Sequence, residues 1–249
     1  MSAGLGAFLK AFALETSEQR AAAATAADDR QKATSTSTLS SRQGTQHLHP
    51  ENPNIHHYED VSEVPQELQN KIAEQMANAL PASKTTIIDA FAGAGGNAIA
   101  FARSGRWERI FAFEKDPDVL KCAKHNAGVY GVANKIWWVE GDCFEKLKQR
   151  FPDFRDDAVV FASPPWGGPT YRGDQVFDLK TMQPYNLHKL YSDFTKISKE
   201  VVLYLPRTSD LNQLAKYVPE NQNIQVAHYC MWGASKALCA YYGDFGTIS

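Results

Sequence analysis

An apolar run that ends on two consecutive prolines places the tightest limit on how this chain folds. The run is Ala158–Ala162, and Ser163-Pro164-Pro165-Trp166-Gly167-Gly168-Pro169 follows it directly. Its length and β-branched content are typical of a buried parallel strand. Because proline neither continues a sheet ladder nor enters a helix interior, the strand must end there. The chain then leaves the sheet edge as a stiff loop.

This proline loop, residues 163–169, has the groups needed to bind a flat base. Ligands of open α/β sheets bind at the carboxyl ends of the strands. The loop offers the Ser163 hydroxyl, fixed carbonyl oxygens and the Trp166 ring, which suit a base that carries an amino group. The alternative is a proline- and glycine-rich turn with a core tryptophan.

Composition excludes several classes of protein. The 249 residues are 43% hydrophobic and 22% charged, which fits one large α/β domain plus an extension. The formal charge of −2 argues against a long nonspecific groove for a polyanion. No apolar run approaches the length of a membrane span. The four cysteines are scattered, at Cys122, Cys143, Cys230 and Cys239, and none of them forms a pair with metal-ligand spacing. We expect them to be small buried hydrophobic residues in a reducing compartment.

The chain divides into three parts. Residues 1–50, rich in Ala, Ser, Thr and Gln, predict a low-complexity flexible tail. Residues 51–84 predict a helical extension, with a helix over Val64–Leu80. Residues 85–249 hold the α/β domain.

The first strand of that domain leads into a glycine loop. The run Thr86–Ala90 predicts a buried strand with Asp89 near its end, and Phe91-Ala92-Gly93-Ala94-Gly95-Gly96-Asn97 follows. Glycines let the backbone turn sharply and approach a ligand closely. The spacing of these glycines differs from that of the dinucleotide-binding fingerprint. This difference argues against a dehydrogenase and favours a ligand without a pyrophosphate.

Acids follow the next two predicted strands. Ile110–Glu114 ends in a carboxylate that can accept hydrogen bonds from both ribose hydroxyls, the alternative being a helix-capping acid. After Lys135–Glu140, Asp142 can accept from an adenine amino group, cap the following helix, or do both. Glycine loop, two acids and proline loop, in this order, outline an S-adenosylmethionine-dependent methyltransferase of the Rossmann-like class.

From Ile87 to about Phe245 the chain resembles the trimethylguanosine synthase family. The tryptophan-glycine-glycine-proline continuation after the two prolines separates this family from the broader amino-methyltransferases, whose loop usually ends in Tyr or Phe. The resemblance is carried by residues 89–97, 126–132 and 163–169, Tyr171, Leu205-Pro206-Arg207, Ser209–Gln213 and Tyr242–Phe245.

The resemblance implies a fold, a donor and an acceptor. The fold is a seven-stranded Rossmann-like sheet with helices on both faces. S-adenosyl-L-methionine is the donor, S-adenosyl-L-homocysteine the product, and no metal takes part. The acceptor is the exocyclic 2-amino group of the 7-methylguanosine cap of small nuclear and nucleolar RNAs, which becomes the 2,2,7-trimethylguanosine cap. Nuclear residence, small ribonucleoprotein partners, no membrane and a monomeric state are further expectations.

Roles carry over to the positions that match the family's motifs. Ser163 and Pro164 line the target amine and Trp166 stacks on the methylated base. Tyr171 and Arg207 face the cap phosphates, with loop packing and a surface salt bridge as their respective alternatives. The donor-binding residues are Asp89, Phe91, Gly93, Gly95, Asn97, Glu114, Asp142 and Cys143.

The chain departs from the family ahead of the first strand. Where the family carries a Trp/Phe-Ser-Val-Thr-Pro-Glu run, this chain has Ser62–Glu67, and Tyr58 is the nearby aromatic residue. Two alternative functions stay open. One is a methyltransferase for another amino group of an RNA or DNA base, and the other is a noncatalytic cap-binding adaptor with the same fold.

Overall fold

The computed structural model describes residues 66–150, 156–167, 175–219, 224–231 and 234–248. The predicted tail and residues 51–65 lie outside these ranges, as do Gly168, Pro169 and Tyr171. The described residues all belong to one compact unit, residues 58–249.

Within the described residues, helices and strands alternate along most of the chain. Helix α1 precedes the first strand, and a short 3₁₀ turn, Ala133–Lys135, precedes β3. The elements are α1 Gln66–Ala79, β1 Thr86–Asp89, α2 Gly96–Ser104, β2 Arg109–Glu114, α3 Pro117–Val129, β3 Trp137–Glu140, α4 Cys143–Arg150, β4 Ala158–Ala162, α5 Leu187–Phe194, β5 Glu200–Leu205, α6 Leu211–Ala215, β6 Gln225–Met231 and β7 Ala234–Tyr242.

The strands form one mixed sheet in the order β3-β2-β1-β4-β5-β7-β6. Strands β1 to β5 are parallel, and β7 is antiparallel to both of its neighbours. The strand order reverses between β1 and β4, which are paired with Thr86 opposite Ala158. A reversal of this kind opens a crevice at the carboxyl ends of the two strands. The predicted fold class is confirmed.

The core explains why the central strands were recognisable as apolar runs. All residues of β1 and β4 are buried, as expected for strands covered on both faces. Helix α1 adds Leu68, Ile72 and Met76 to the same core. Of the described helices, none is long and apolar enough to cross a membrane.

The prediction of buried cysteines is wrong at one position. Cys143 and Cys239 are buried, whereas Cys122 is exposed. Cys122 lies in α3, whose buried face is formed by Leu120, Ala123 and Ala127. Its place in the helical repeat therefore turns it toward solvent. The side chain of Cys230 lies outside the described residues.

Candidate active site

A cavity of about 320 Å³ opens at the carboxyl ends of β1 to β4. It combines segments that are distant in sequence, because parallel strands bring their carboxyl ends to one edge. Seven of the predicted site residues line it: Phe91, Gly93, Glu114, Asp142, Cys143, Ser163 and Pro164. A second cavity of about 570 Å³, bounded in part by Tyr191, Tyr217 and Tyr242, contains none of the predicted site residues.

Gly93 and Glu114 connect the glycine loop to the end of β2. Gly93 has a φ of 52°, in the left-handed region that favours glycine, and its N–H donates to Glu114 Oε2 at 2.9 Å. The second carboxylate oxygen, Oε1, accepts from the Asp116 N–H at 2.9 Å. Each oxygen of a carboxylate can accept two hydrogen bonds. Glu114 is therefore held in place with one acceptor position left on each oxygen, which suits two neighbouring hydroxyls.

The alternative of a helix-capping role for Glu114 does not hold. The cap of α3 is Asp116, whose Oδ1 accepts from the N–H groups of Asp118 and Val119 at 2.9 and 3.3 Å, with Pro117 in the first turn. Glu114 lines the cavity instead.

Asp142 caps α4 and also faces the cavity. Its Oδ1 accepts from the N–H groups of Phe144 and Glu145 at 2.9 and 3.2 Å. Its Oδ2 accepts from the Tyr185 hydroxyl at 2.6 Å. Burial acts to raise the pKa of Asp142, but the Tyr185 hydroxyl and the two backbone N–H groups outweigh it, so the pKa lies below its ordinary value. Asp142 is therefore a stable anion at neutral pH.

Cys143 lines the cavity as an uncharged side chain. Burial, followed by the nearby Asp142 carboxylate, raises the pKa of the thiol far above its ordinary value. Cys143 therefore stays a neutral thiol on the wall of the cavity, and it acts neither as a nucleophile nor as a charged ligand.

Asp89 lies beneath the cavity rather than in its lining. It is completely buried, and neither carboxylate oxygen has a hydrogen-bond partner among the described residues. Burial raises the pKa of Asp89 to about 7, although the backbones of Phe91 and Ala98 are near enough to oppose the rise. Burial thus favours the protonated form of Asp89.

Gly95 and Asn97 also lie outside the cavity lining. Gly95 precedes α2 with a φ of 92°, and a Cβ placed there would approach the Trp138 ring to 3.0 Å and the Ala123 Cβ to 3.3 Å. Glycine at this position is required by the turn and by the packing of the loop against α3. Asn97 lies in the first turn of α2.

The proline loop after β4 forms another part of the cavity lining. The Ser163 hydroxyl donates to the Phe91 carbonyl oxygen at 3.2 Å, which links this loop to the glycine loop. Pro164 is buried. The Trp166 indole N–H donates to the Tyr204 carbonyl oxygen at 3.3 Å, and the two rings stack with centroids 5.7 Å apart and planes at 24°.

Trp166 is only partly buried. Its ring is held beside β5, at the same edge of the sheet as the cavity. Arg207 follows β5 at that edge, is exposed, and forms no ion pair within the described ranges. The prediction for Tyr171 lies outside the described residues.

Three residues near the cavity were not singled out from the sequence. Tyr185 and Lys115 line the cavity. Buried Asn126 donates its side-chain N–H to the Ala94 carbonyl oxygen at 2.9 Å and so holds the glycine loop. The presence of Asn126 in the segment that carries the family resemblance was a usable signal, whereas Tyr185 lies in no motif.

Comparison with known families and proteins agrees with this geometry. A sequence profile described as "RNA cap guanine-N2 methyltransferase" matches residues 84–245. The trimethylguanosine synthase of Schizosaccharomyces pombe is 37% identical over 166 residues, which cover 66% of this chain and 67% of that protein. The trimethylguanosine synthase of Saccharomyces cerevisiae is 36% identical over 165 residues, covering 59% of this chain and 51% of that protein.

The chain thus spans about two thirds of one relative and about half of the other. Among solved structures, the METTL16 methyltransferase domain aligns with a TM-score of 0.50 at 16% identity, covering 70% of this chain and 65% of that one. At this identity the likeness concerns the fold alone.

Proposed function

The chain belongs to the RNA cap guanine-N2 methyltransferase family, and from this premise we propose that it methylates the exocyclic 2-amino group of the 7-methylguanosine cap, with S-adenosyl-L-methionine as donor. The observation that supports the proposal most directly is the position of the proline loop. Ser163 and Pro164 line the same cavity as Glu114 and Asp142, so the proposed acceptor-side and donor-side groups share one cavity.

The residues of the cavity fit the donor. Glu114 keeps one acceptor position on each oxygen for the two ribose hydroxyls, and Asp142 is an anion that can accept from the adenine amino group. When bound, the donor supplies an electrophilic methyl group on a sulfonium. Phe91, Gly93 and Cys143 supply uncharged parts of the lining.

Ser163 orients the acceptor amine. An amino group on an aromatic ring is a weak nucleophile because its lone pair is delocalised. The hydrogen of the Ser163 hydroxyl is directed at the Phe91 carbonyl oxygen, so the lone pairs of Oγ can accept an N–H of the amine. The described part of the proline loop contains no carboxylate, amine or imidazole. Catalysis therefore rests on positioning and desolvation of the amine while the methyl group is transferred, and the proton leaves the nitrogen for water after the transfer.

Trp166 supplies the preference for a methylated cap. A 7-methylguanine ring is cationic, whereas guanine is neutral. Stacking of a base on an aromatic side chain contributes about 1–3 kcal/mol, and the cation–π term adds roughly 0.5–2 kcal/mol. Because the indole is fixed by its N–H bond to Tyr204 and by the stacked rings, little ordering is needed when the base binds.

The test is methyl transfer measured by mass spectrometry. With 7-methyl-GTP and labelled donor we expect the mass of one and then two methyl groups, and with GTP none. Trp166→Ala should lose transfer while it keeps its affinity for S-adenosyl-L-homocysteine, because Trp166 lies outside the donor cavity. Trp166→Phe is the matched variant and should retain part of the activity. Equal transfer to GTP and 7-methyl-GTP, or full activity of Trp166→Ala, would contradict the proposal.

The finer assignments follow from the same family. We propose that the acceptors are small nuclear and nucleolar RNAs, that Arg207 and Tyr171 contact the cap phosphates, and that a monomer works in the nucleus beside small ribonucleoprotein proteins. Exposed Arg207, free of ion pairs within the described ranges, supports the phosphate role. Sequencing of RNAs that lose the trimethylated cap on depletion of the protein, together with imaging of a tagged chain, tests these assignments.

A further inference from the structure

We propose that Tyr185 is a positioning residue of the donor site, whose hydroxyl orients Asp142 toward the donor's adenine amino group. This inference rests on the proposed function, because it assumes that the cavity takes an adenosine. It adds a residue that lies outside the four strand-end motifs and is 43 positions from its partner in the chain.

The hydrogen bonds of Asp142 define the role. Oδ1 accepts from two backbone N–H groups, those of Phe144 and Glu145, so both of its acceptor positions are filled. Oδ2 accepts from the Tyr185 hydroxyl at 2.6 Å, which leaves one acceptor position on the whole carboxylate. The hydroxyl thereby determines the direction from which Oδ2 of Asp142 can accept one further hydrogen bond. An exocyclic amino group fits that position, whereas a carbonyl oxygen would meet a lone pair.

The Tyr185 ring is itself held firmly. It packs against the Phe91 and Phe144 rings, with centroid separations of 5.6 and 4.9 Å. The next residue, Asn186, caps α5 by accepting from the Lys189 N–H at 3.0 Å. Tyr185 is therefore fixed between the glycine loop, α4 and the start of α5, and its hydroxyl has little freedom to leave the carboxylate.

Charged and titratable groups surround this pair on several elements. Lys189 of α5 acts to lower the pKa of Asp142, as does the Tyr185 hydroxyl, which has the larger effect. Burial, followed by the bond to Asp142, raises the pKa of Tyr185, so the phenol keeps its proton. The neighbouring titratable groups are Cys143 and Glu145 on α4, Asp193 on α5, and Glu114 and Lys115 on the cavity wall.

Tyr185→Phe removes the hydroxyl and keeps the ring. Calorimetric titration with S-adenosyl-L-homocysteine should show about five- to thirtyfold weaker binding, because Asp142 is no longer held in the orientation in which it accepts from the adenine amino group, and that charge-assisted hydrogen bond is weakened. Loss of that bond also raises the pKa of Asp142. The fall in affinity on acidification, which follows protonation of Asp142, should therefore begin at a higher pH in the variant than in the wild type.

A second ligand tests the orientation directly. S-inosyl-L-homocysteine carries a carbonyl oxygen in place of the adenine amino group. Wild-type protein should bind it much more weakly than S-adenosyl-L-homocysteine. In Tyr185→Phe the ratio of the two dissociation constants should be smaller than in the wild type. Tyr191→Phe is the matched control, because Tyr191 lies on α5 against Tyr217 and Tyr242 rather than at the donor cavity. It should bind both ligands as the wild type does.

A double-mutant cycle isolates the pair. In an Asp142→Asn background, Tyr185→Phe should cause little further loss of affinity. Wild-type protein that fails to bind S-adenosyl-L-homocysteine would refute the proposed function itself. Wild-type binding with an unchanged pH profile and an unchanged ligand ratio in Tyr185→Phe would refute only the role of Tyr185. If the losses of affinity caused by Asp142→Asn and Tyr185→Phe simply add in the double variant, the role of Tyr185 would likewise be refuted.

Discussion

Asp89 offers a sharp test of how burial controls ionisation in this fold. Its carboxylate is completely buried without a hydrogen-bond partner among the described residues, and burial raises its pKa from 3.8 to about 7. Between these two values the folded protein keeps a proton that the unfolded chain has lost. The contribution of Asp89 to the free energy of unfolding therefore falls as the pH rises through this window and levels off above about pH 7.

The size of the effect follows from the shift. At about 1.4 kcal/mol per pKa unit, the full loss is on the order of 4 kcal/mol, of which about 3 kcal/mol falls between about pH 5 and about pH 8. Asp89→Asn replaces the carboxyl group with an amide of the same shape that does not titrate. The cost of burying the amide is independent of pH, so it cancels when the difference between variant and wild type is compared across pH.

Urea unfolding followed by tryptophan fluorescence measures this difference. From about pH 5 to about pH 8, the stability of Asp89→Asn should rise relative to wild type by about 3 kcal/mol. Asp157→Asn is the control. Burial acts to raise the pKa of Asp157, but hydrogen bonds from Thr85 and Thr86 outweigh it and lower the pKa, so its effect falls below this window. Parallel pH curves for Asp89→Asn and wild type would refute the argument.

Three further substitutions test the described contacts. Glu114→Gln should weaken the binding of S-adenosyl-L-homocysteine about tenfold or more, as measured by calorimetry. The amide either turns an N–H toward the Gly93 N–H or loses the negative charge that faces a ribose hydroxyl. Unchanged affinity would contradict this role of Glu114. Gly243→Ala should lower the melting temperature by about 5 °C or more, because Gly243 has a φ of 111° and its Cβ would lie 2.5 Å from the Lys199 carbonyl oxygen. Gly128→Ala should instead raise the unfolding free energy by about 0.5–1 kcal/mol, since Gly128 lies in α3 and nothing lies within 4 Å of a Cβ placed there. A Gly243→Ala protein of unchanged stability would contradict the first of these two expectations, and a destabilised Gly128→Ala protein would contradict the second.

The parallel half of the sheet could be predicted because burial leaves a signature in sequence. The strand Ala158–Ala162 was predicted with its observed bounds, and β1, β2 and β3 within two residues at each end. Strands β6 and β7 were expected only through the family resemblance. Strand β6 mixes polar and apolar residues because it is an edge strand with half-exposed side chains. Helix α5 spans only eight residues, too few for a clear helical period.

The site was predictable where chemistry coincides with a strand end. Glu114 and Asp142 were recognisable because the carboxyl ends of parallel strands meet at one edge, so chain order alone brings them together. Tyr185 reaches Asp142 from a loop whose path depends on the packing of α5, which no local pattern encodes. The deep burial of Asp89 likewise arises from the assembled core, and a strand-end aspartate gives no sign of it in sequence.

The strand order has an evolutionary consequence. Strands β1 to β3 carry the glycine loop, Glu114 and Asp142, while β4 and β5 carry the proline loop and Arg207. On the proposed assignments, the chain encodes most of the donor half first and the acceptor half second, and the two halves join where β1 pairs with β4. Mutations that retarget the enzyme to another nucleophile can accumulate after Ala158 and leave most of the donor half untouched. A gene built in this way can diversify its substrates while its cosubstrate stays the same.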